Sequence, residues 1–506
     1  MDKLPITLLI GIIIILKGVS KVHDMALAGK VAANTIIQVV TKVVSTALSL
    51  VAMAMITRYL GRYGFGEYTT AITFVTFFSI AADLGLTLVT TQLLSRPGAD
   101  VKETMSNLFT FRFVSGFAIM ALAPLAVLFF PYADVVKHGV SVAALAFFFV
   151  ILTQVFVSLF QRELRTDRMA VAEIVSRALI LAITGLAVFL NGGIVGVLWA
   201  MAAGNAVSFI LHFTFARRYA HTSFRYDKTI WTDIIKQSWP LVITIVLNLV
   251  YLRTDTLLLS LLKGPEDVGL YGAAYRVVDV LVTIPFMIGG TVLPIFASRW
   301  LAGDIEDYRR MWQRVFDVSA LIAWPLVAGG FALAQPIMTL IAGPEFVAAG
   351  SILKILIIAV GFVFFSAFFS YTMVGFERQK RMIPAYLFTA VTSVALYLIF
   401  IPRFSYVAAA CITVYSEAVI SLCAWWLVKK ESGLAPRLKV FFKAVLSSLV
   451  MALLLVFLPL PTDTIPGLLA AVVLGSIIYA VVLYAIGGVN KKDFSDLMQG
   501  ALNGKS

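Results

Sequence analysis

Charged residues are scarce in this chain. Asp, Glu, Lys and Arg together make up 13% of its 506 residues, whereas 60% are apolar and the mean hydropathy is +0.96. That balance lies far outside the range of soluble domains. Apolar runs of about 20 residues recur along nearly the whole length, and a helix of that length crosses the hydrocarbon core of a bilayer. The sequence therefore predicts an all-α membrane protein without a soluble domain of useful size.

Motifs of several enzyme and pump classes are missing as well. The sequence has no Walker A loop, no Cys/His cluster with metal-ligand spacing and no Gly-x-Ser-x-Gly motif, which argues against an ATP-driven pump, a metal site and a hydrolase. Cysteine is almost absent, and Cys411 and Cys423 lie in one apolar segment where they cannot reach each other within a helix. No disulfide and no cofactor is expected, apart from a coupling H⁺ or Na⁺.

The net charge of +13 is carried by short connections between the apolar runs. Alternate connections are basic, and the positive-inside rule assigns these to the cytoplasm. Both termini are then cytoplasmic, which requires an even number of spans. Because the basic residues set topology, a nucleic-acid partner is not expected. The exceptions on the outer side are Arg58, Arg62, Lys137, Lys263 and Arg403.

We predict about fourteen spans from the apolar runs and the even count that the topology requires. Residues 1–24 precede the first span as an N-terminal extension, because the apolar run 4–16 is short and is followed by Lys17, Lys21, His23 and Asp24. A cleaved signal peptide would disagree with the charge asymmetry. The predicted spans are 33–58, 67–94, 107–130, 138–161, 170–190, 194–216, 235–261, 269–298, 314–341, 349–374, 382–402, 405–428, 438–459 and 464–487.

The connection 60–71 (LGRYGFGEYTTA) recurs at 262–274 (LKGPEDVGLYGAA), which indicates a duplicated unit. Two units of six spans, an even number, have the same orientation and are related by an axis along the membrane normal. The equivalent residues share an offset of 203 and are Gly61 and Gly264, Gly66 and Gly269, Tyr68 and Tyr271, and Ala71 and Ala274.

The repeat divides the chain into four predicted parts. These are the extension at 1–24, an N-lobe of six helices at 25–220, a C-lobe of six helices at 221–430, and a helix pair with a tail at 431–506. Two parallel lobes that face each other enclose a central cavity. Rocking of the lobes would open this cavity to one side of the membrane and then to the other, as alternating access requires.

Ionisable side chains within spans cost at least about 2.5–3.5 kcal/mol at mid-depth, so each one indicates a cavity or a partner. Lys42, Arg253 and Arg276 are predicted to line the cavity, and an inter-helix ion pair is the alternative for each. Arg276 and Asp279 are three residues apart and can pair with each other. Glu173 and Arg177 are four residues apart near the cytoplasmic end of their span, where an interfacial ion pair is expected. The acidic candidates for ion coupling are Asp83, Asp255, Asp279 and Glu417.

Several segments together resemble the polysaccharide (oligosaccharide) flippases of the multidrug/oligosaccharidyl-lipid/polysaccharide exporter superfamily. The resemblance covers residues 30–430, and the family's Gly-Pro-Glu after the first Leu-Gly is replaced by Arg62-Tyr63. It implies two six-helix lobes around a central cavity, two further C-terminal helices, and no enzymatic activity. The segments that carry it are RYLGRYGFGEY (58–68), ADLGL (82–86), TD (254–255), GLYGAAYR (269–276), GPEFVAAGSIL (343–353), IPR (401–403), AAA (408–410) and SE (416–417).

The resemblance also implies a transport reaction. An oligosaccharide linked to undecaprenyl diphosphate, such as an O-antigen or exopolysaccharide repeat unit, would move from the inner to the outer leaflet of the cytoplasmic membrane. Its partners would be the lipid-linked substrate, membrane lipids and a polysaccharide polymerase. Fixed cations on a cavity wall would replace the water around the diphosphate. The alternatives are a lipid II flippase, a multidrug/cation antiporter, and a membrane glycosyltransferase or O-antigen ligase, which would need a catalytic loop larger than Asn191-Gly192-Gly193.

Overall fold

The computed structural model describes residues 25–83, 85–86, 90, 93, 100–163, 165–220, 222–303, 305–458 and 460–488; the side chains of 25–36, 39, 237 and 239–252 are not described. The predicted extension at 1–24 lies outside the described residues. Within the described ranges, all regular structure is helical. The helices are α1 (Met25–Asp83), α2 (Val101–Val127), α3 (Asp134–Arg162), α4 (Thr166–Phe189), α5 (Gly193–Ala216), α6 (Lys228–Leu262), α7 (Pro265–Leu301), α8 (Ile305–Ala342), α9 (Val347–Gly375), α10 (Ile383–Ser432), α11 (Lys439–Phe457) and α12 (Ile465–Ala485), with short 3₁₀ turns at Pro344–Phe346 and Gln379–Met382.

Two of these helices are interrupted by one non-helical residue. Gly61 divides α1 at φ 63° and ψ −174°, a conformation open to glycine because it has no Cβ. Ser405 divides α10 at φ 49° and ψ −133°, and its hydroxyl donates a hydrogen bond to the Asp267 carboxylate at the start of α7. Gly61 falls between the predicted spans 33–58 and 67–94, and Ser405 is the first residue of the predicted span 405–428, so each long helix has two arms.

The all-α membrane fold is confirmed. Eleven helical segments among the described residues are long and apolar enough to cross a membrane. The predicted count of about fourteen is larger because it counts the two arms of α1 and of α10 as separate spans and includes α6. This count stays a prediction. The protein is a multi-pass membrane protein.

The helices pack in two groups. In the first group, α3 and α4 pack on α5, and α1 packs on α3 and α4. In the second group, α9 lies at the centre against α7, α8 and α10, while α6 packs on α10. The apolar window of the α9 segment is 78% buried, the highest value among the spanning segments described, because other helices surround it. The pair α11 and α12 attaches to the second group through α8.

The segment before α6 holds the two groups together on the side predicted to be cytoplasmic. Ser106, Asn107 and Thr110 of α2 accept hydrogen bonds from the backbone amides of residues 223, 227 and 225, at 3.2, 2.7 and 2.9 Å respectively. Because alternate amides of an extended chain point to the same side, one face of this segment can bond to one face of α2. The side chain of Asp227 then caps α6 by accepting from the next free amides.

Candidate functional site

The two copies of the repeated connection lie against each other where α1 meets α7. A Cβ added to Gly66 would lie 1.7 Å from the carbonyl oxygen of Pro265, and one added to Gly269 would lie 2.1 Å from that of Arg62. The repeat offset relates Gly66 to Gly269 and Arg62 to Pro265. The two contacts are therefore equivalent, as at an interface with two-fold symmetry.

A third contact marks the pseudo-two-fold axis. A Cβ added to Gly272 would lie 2.6 Å from Cγ2 of Thr69, and the same offset relates Thr69 to Gly272. A contact between equivalent residues maps onto itself under a two-fold rotation, so it lies at the axis. Small residues on both arms allow the helix backbones to approach closely. The second arm of α1 and the first part of α7 thus close the gap between the two helix groups at this end.

Two arginines of the connection add polar contacts to this closure. Arg58 Nη2 donates to the carbonyl oxygen of Leu340 at 2.8 Å, and the backbone amide of Arg62 donates to Glu345 Oε2 at 3.4 Å. The Arg62 guanidinium also pairs with Glu266 at 3.5 Å, where the two side chains are 40% and 56% exposed. Exposed ion pairs contribute little. The glycine contacts therefore determine how closely the groups approach, and the polar contacts can be released.

Arg253, which is predicted to line the cavity, faces a carboxylate on the neighbouring helix. Arg253 Nη2 lies 3.0 Å from Asp279 Oδ1, and its guanidinium lies 5.1 Å from the ring centre of Tyr275. Both members of the ion pair are 33% exposed. The predicted Arg276–Asp279 pair is wrong. Residues three apart share a face of α7, but Asp279 is directed to α6, where Arg253 is close enough to bond it.

Asp255, a predicted candidate for ion coupling, is buried in the second group. Asp255 is 1% exposed and accepts a 2.6 Å hydrogen bond from the Tyr271 hydroxyl, with Thr413 Oγ1 at 3.4 Å. These partners come from α7 and α10. No cation among the described residues lies within ion-pair distance of Asp255. The site is a carboxylate surrounded by hydroxyl groups.

Glu417 of α10 is a second buried carboxylate in the same group. It is 3% exposed and accepts a long hydrogen bond of 3.4 Å from Ser366 Oγ of α9. Among the described residues, no Lys, Arg or His nitrogen lies within 4.0 Å of it. An ionised carboxylate without a partner is very costly in an apolar interior. Glu417 therefore requires a proton or a bound cation.

Asp83 lies in the first group and pairs with an arginine that the sequence analysis did not select. Arg112 Nη1 of α2 lies 2.9 Å from Asp83 Oδ1, and the Arg112 side chain is completely buried whereas that of Asp83 is 34% exposed. The sequence signal was available, because Arg112 stands alone within the predicted span 107–130. A buried arginine is tolerated when a carboxylate compensates its charge. This pair connects the end of α1 to α2.

Lys42 lies on the first arm of α1, before the interruption at Gly61. It is half-buried, and no carboxylate among the described residues lies within 4.0 Å of its ammonium group. At about 100° per residue, its direction is roughly 160° from the centre of the exposed apolar stripe of this arm. Lys42 thus faces away from the surface that lipid would cover. The stripe consists of Val40, Val43, Val44 and Val51.

Arg276 and Arg177 are two further cations within predicted spans. Neither guanidinium has a carboxylate within 4.0 Å among the described residues. The predicted Glu173–Arg177 ion pair is therefore wrong. Among the residues described, no cluster of His, Cys, Asp and Glu could hold a metal ion.

The sequence matches known families. The family model for polysaccharide biosynthesis proteins matches residues 31–300, and the MatE model matches residues 240–399. The teichuronic acid biosynthesis protein TuaB of Bacillus subtilis (strain 168) is 22% identical over 287 residues. That alignment covers 56% of this chain and 58% of the relative, so the chain spans less than two thirds of the relative's length.

Solved transporters share the fold. The lipid II flippase MurJ in an inward closed conformation superimposes with a TM-score of 0.73 at 14% identity, covering 90% of this chain and 98% of MurJ. An inward-facing multidrug resistance MATE transporter of the MOP superfamily gives 0.65 at 14% identity, covering 77% of this chain and 94% of that one. The first family model matches more than half of the sequence. The chain therefore belongs to the polysaccharide biosynthesis protein family and has the fold of membrane transporters of the MOP superfamily, which are not enzymes.

Proposed function

We propose that this protein flips an oligosaccharide linked to undecaprenyl diphosphate from the cytoplasmic to the outer leaflet of the cytoplasmic membrane. The observation that carries the proposal is the symmetric closure at Gly66 and Gly269. Further along the same two helices lie Lys42 and Arg276, two cations with no ion-pair partner among the described residues. A closure held by reciprocal contacts can open by rotation of two equivalent bodies. The family membership and the MurJ fold support a flippase.

The proposed substrate site is cationic. Lys42, Arg253 and Arg276 would face the diphosphate while the lipid tail stays in the bilayer and the glycan occupies the hydrated cavity. Moving a diphosphate through a medium of low dielectric constant requires fixed positive partners. Arg253 shares its charge with Asp279, so Lys42 and Arg276 are expected to contribute more binding free energy. Arg253 would bind substrate once Asp279 turns away or is neutralised.

The proposed energy source is an ion gradient, H⁺ or Na⁺. Of the four acidic candidates, Asp83 and Asp279 already form ion pairs with arginines. Asp255 and Glu417 are buried without a cation at ion-pair distance among the described residues, so each is suited to exchange a proton or a sodium ion. We therefore assign coupling to Asp255 and Glu417 in preference to the other two.

The proposed topology has both termini in the cytoplasm. It rests on the basic connections, and it puts the symmetric closure on the outer side of the membrane. The substrate would then enter from the cytoplasm, where lipid-linked sugars are assembled. A polysaccharide polymerase on the outer side would consume the product and is the proposed partner.

The proposal can be tested in proteoliposomes. A lipid-linked oligosaccharide with a fluorescent glycan is reduced by dithionite only in the outer leaflet, so flipping appears as a second, slower loss of fluorescence. We expect Lys42→Ala and Arg276→Ala to slow this phase about tenfold or more, since each removes a charge-assisted contact. The matched control is Arg310→Ala, because Arg310 is 61% exposed and pairs with Glu306 on the same helix turn.

Each rival function predicts a different result. If lipid II is flipped faster than the oligosaccharide, the protein is a lipid II flippase. If Arg276→Ala improves efflux of an organic cation, the multidrug/cation antiporter is correct, because removing a positive charge would favour such a substrate. Native protein that flips no lipid-linked glycan under either ion gradient would refute the proposal.

A further inference from the structure

The closure between the helix groups has two lateral seams that the pseudo-two-fold axis relates. In each seam, the end of one group's first span lies against the connection that follows the other group's third span. The first seam joins the first arm of α1 to the connection 343–346 between α8 and α9. The second seam joins α6 to the connection 128–133 between α2 and α3. Because the two seams are equivalent by position, differences between their contacts show which one separates more easily.

The first seam is held by contacts of several kinds. Arg58 Nη2 donates to the Leu340 oxygen at 2.8 Å, and a Cβ added to Gly343 would lie 3.3 Å from Arg58 Cγ. The ring of Phe346, which is 1% exposed, meets the ring of Phe65 edge-on across the seam, with 5.9 Å between the ring centres. Charge-assisted hydrogen bonds and buried aromatic pairs are among the stronger contacts in proteins. The first arm of α1 is therefore firmly attached to the second group.

The second seam has a single hydrogen bond at the equivalent place. The hydroxyl oxygens of Tyr132 and Ser260 are 2.7 Å apart, and among the described residues no other hydrogen bond or ion pair crosses this end of the seam. The Tyr132 ring stacks on Phe130 and meets Phe74 edge-on, and both belong to its own group. A hydrogen bond between neutral groups contributes less than a charge-assisted one. The second seam is therefore the weaker of the two.

The opposite end of the second seam is closed. The ring of Phe111 on α2 meets Trp231 on α6 edge-on, with 5.0 Å between the ring centres. The hydrogen bonds from the segment before α6 to α2 lie at the same end. Separation of α2 from α6 is thus confined to the half of the seam that the proposed topology places in the outer leaflet.

An apolar stripe leads along α2 to the second seam. Its residues lie within an arc of roughly 120° at about 100° per residue, and each is at least 50% exposed. The stripe carries no charged side chain, so a hydrocarbon chain can lie along it. It consists of Val114, Phe117, Leu125, Leu128 and Phe129.

We propose that the closure opens at the second seam with the first seam as its hinge, and that the prenyl chain of the product leaves sideways between α2 and α6. This inference rests on the proposed function and extends it by giving the route of the lipid chain. The glycan can leave through the outer end of the cavity, but the chain stays in hydrocarbon, so its release requires a lateral gap. Rotation about the first seam also separates the glycine contacts, because the axis lies between the two seams.

The test locks each seam in turn with a short bismaleimide, in purified full-length protein with both native cysteines replaced by serine. Tyr132→Cys with Ser260→Cys locks the second seam. Arg62→Cys with Glu345→Cys locks the first, where the Arg62 amide lies 3.4 Å from Glu345 Oε2. Flipping of the fluorescent lipid-linked oligosaccharide is measured in proteoliposomes before and after linking, so a misfolded variant is recognised before the linker is added. We expect linking of the second seam to abolish flipping and linking of the first to leave it unchanged.

A second measurement follows the lipid chain and does not depend on the locks. The oligosaccharide lipid carries a diazirine in its prenyl chain, and adducts formed during flipping are located by mass spectrometry. We expect adducts on 253–262 in excess of those on 446–457, an exposed face of α11 that measures contact with bulk lipid. Tyr132→Phe should raise this excess about two- to tenfold, because the seam loses its hydrogen bond. The matched control is Tyr59→Phe, because the Tyr59 hydroxyl accepts from the Gly193 amide within the first group.

The outcomes separate this inference from the proposed function. If linking the first seam stops flipping, or if the two links have equal effects, the hinge and the exit are refuted and the flippase remains. Adducts on 340–347 with no excess on 253–262 would also refute the exit. If native protein flips no lipid-linked glycan, the proposed function fails, and this inference fails with it.

Discussion

The closure between the helix groups leads to a sharp prediction for Gly66→Ala. The added methyl group would lie 1.7 Å from the Pro265 oxygen and 2.5 Å from its carbonyl carbon. These are backbone atoms, which cannot move aside as the end of a flexible side chain can. Overpacking of this kind costs about 1–3 kcal/mol. Because the contact exists only while the closure is formed, the cost falls on the closed state alone.

A destabilisation of about 1–3 kcal/mol corresponds to a shift of roughly 5- to 150-fold in the equilibrium toward the state in which this closure is open. The equivalent variant, Gly269→Ala, should shift it by a similar amount, since its methyl group would lie 2.1 Å from the Arg62 oxygen. The matched control is Gly264→Ala in the same connection. A Cβ there meets nothing within 4 Å, and its φ of −75° is accessible to alanine.

The assay measures access to the pseudo-two-fold axis. In a background with Cys411→Ser and Cys423→Ser, the variant Thr69→Cys places a thiol at a position that is 6% exposed beside Gly272. We expect a membrane-impermeant maleimide added to intact cells to label Thr69→Cys slowly alone and with Gly264→Ala, but much faster with Gly66→Ala. Equal labelling rates in the two alanine variants, at equal expression and thermal stability, would refute the reasoning.

Three further predictions concern charged pairs and buried carboxylates. Removing one partner of a buried pair costs about 3–5 kcal/mol. Asp83→Ala leaves Arg112 buried without this carboxylate, so it should lower the thermal unfolding temperature more than Arg112→Leu, which leaves a half-exposed carboxylate. Equal losses in the two variants would contradict the argument from the difference in burial. Arg253→Ala should reduce the yield of folded protein, and adding Asp279→Asn should restore part of it; no recovery in the double variant would show that the pair is not coupled. Glu417→Gln keeps the shape of the side chain but cannot ionise. It should leave binding of the lipid-linked glycan intact and make flipping in proteoliposomes independent of the H⁺ or Na⁺ gradient. A variant that still responds to both gradients would show that Glu417 is not the coupling residue.

The overall architecture could be predicted because many independent features of the sequence indicate the same fold. Long apolar runs and alternating basic connections each recur many times, so an error in one segment does not change the all-α membrane fold, which the structure confirms. One repeated pair of glycines has a structural reason, because a Cβ at Gly66 or at Gly269 would overlap the opposite helix group. The close contact between the groups therefore requires glycine at both positions, and this makes the repeat visible in the sequence.

The ion pairs could not be predicted from one helix at a time. Spacing indicated that Arg276 could reach Asp279, but the carboxylate pairs with Arg253, because a neighbouring helix offers a closer cation. The same limit applies to Glu173 and Arg177, which are four residues apart on α4 and form no ion pair within 4.0 Å. Spacing defines which residues share a face of a helix, whereas the choice among partners depends on tertiary packing.

Two of the five cations on connections predicted to be outer, Arg58 and Lys263, have an explanation from packing. Arg58 bonds to the carbonyl oxygen of Leu340 at the end of α8. Lys263 bonds to that of Pro402 next to the interruption of α10, with 2.8 Å between the atoms. Cations interact favourably with the free carbonyl groups at helix C-termini. These contacts account for the two cations on connections where the rule expects few.

The symmetric closure joins two tyrosines, Tyr68 and Tyr271, that the repeat offset relates. Tyr271 donates a hydrogen bond to Asp255. The helix α7 carries both Tyr271 and Arg276, so it bonds to the proposed ion site of its own group and contributes a cation to the proposed substrate site. A proton or sodium ion that binds Asp255 competes for the oxygen that Tyr271 occupies, and any shift of α7 changes the glycine contact at Gly269. The duplication thus supplies the geometry of the closure, and α7 is the helix through which the proposed ion site and the proposed substrate site would be coupled.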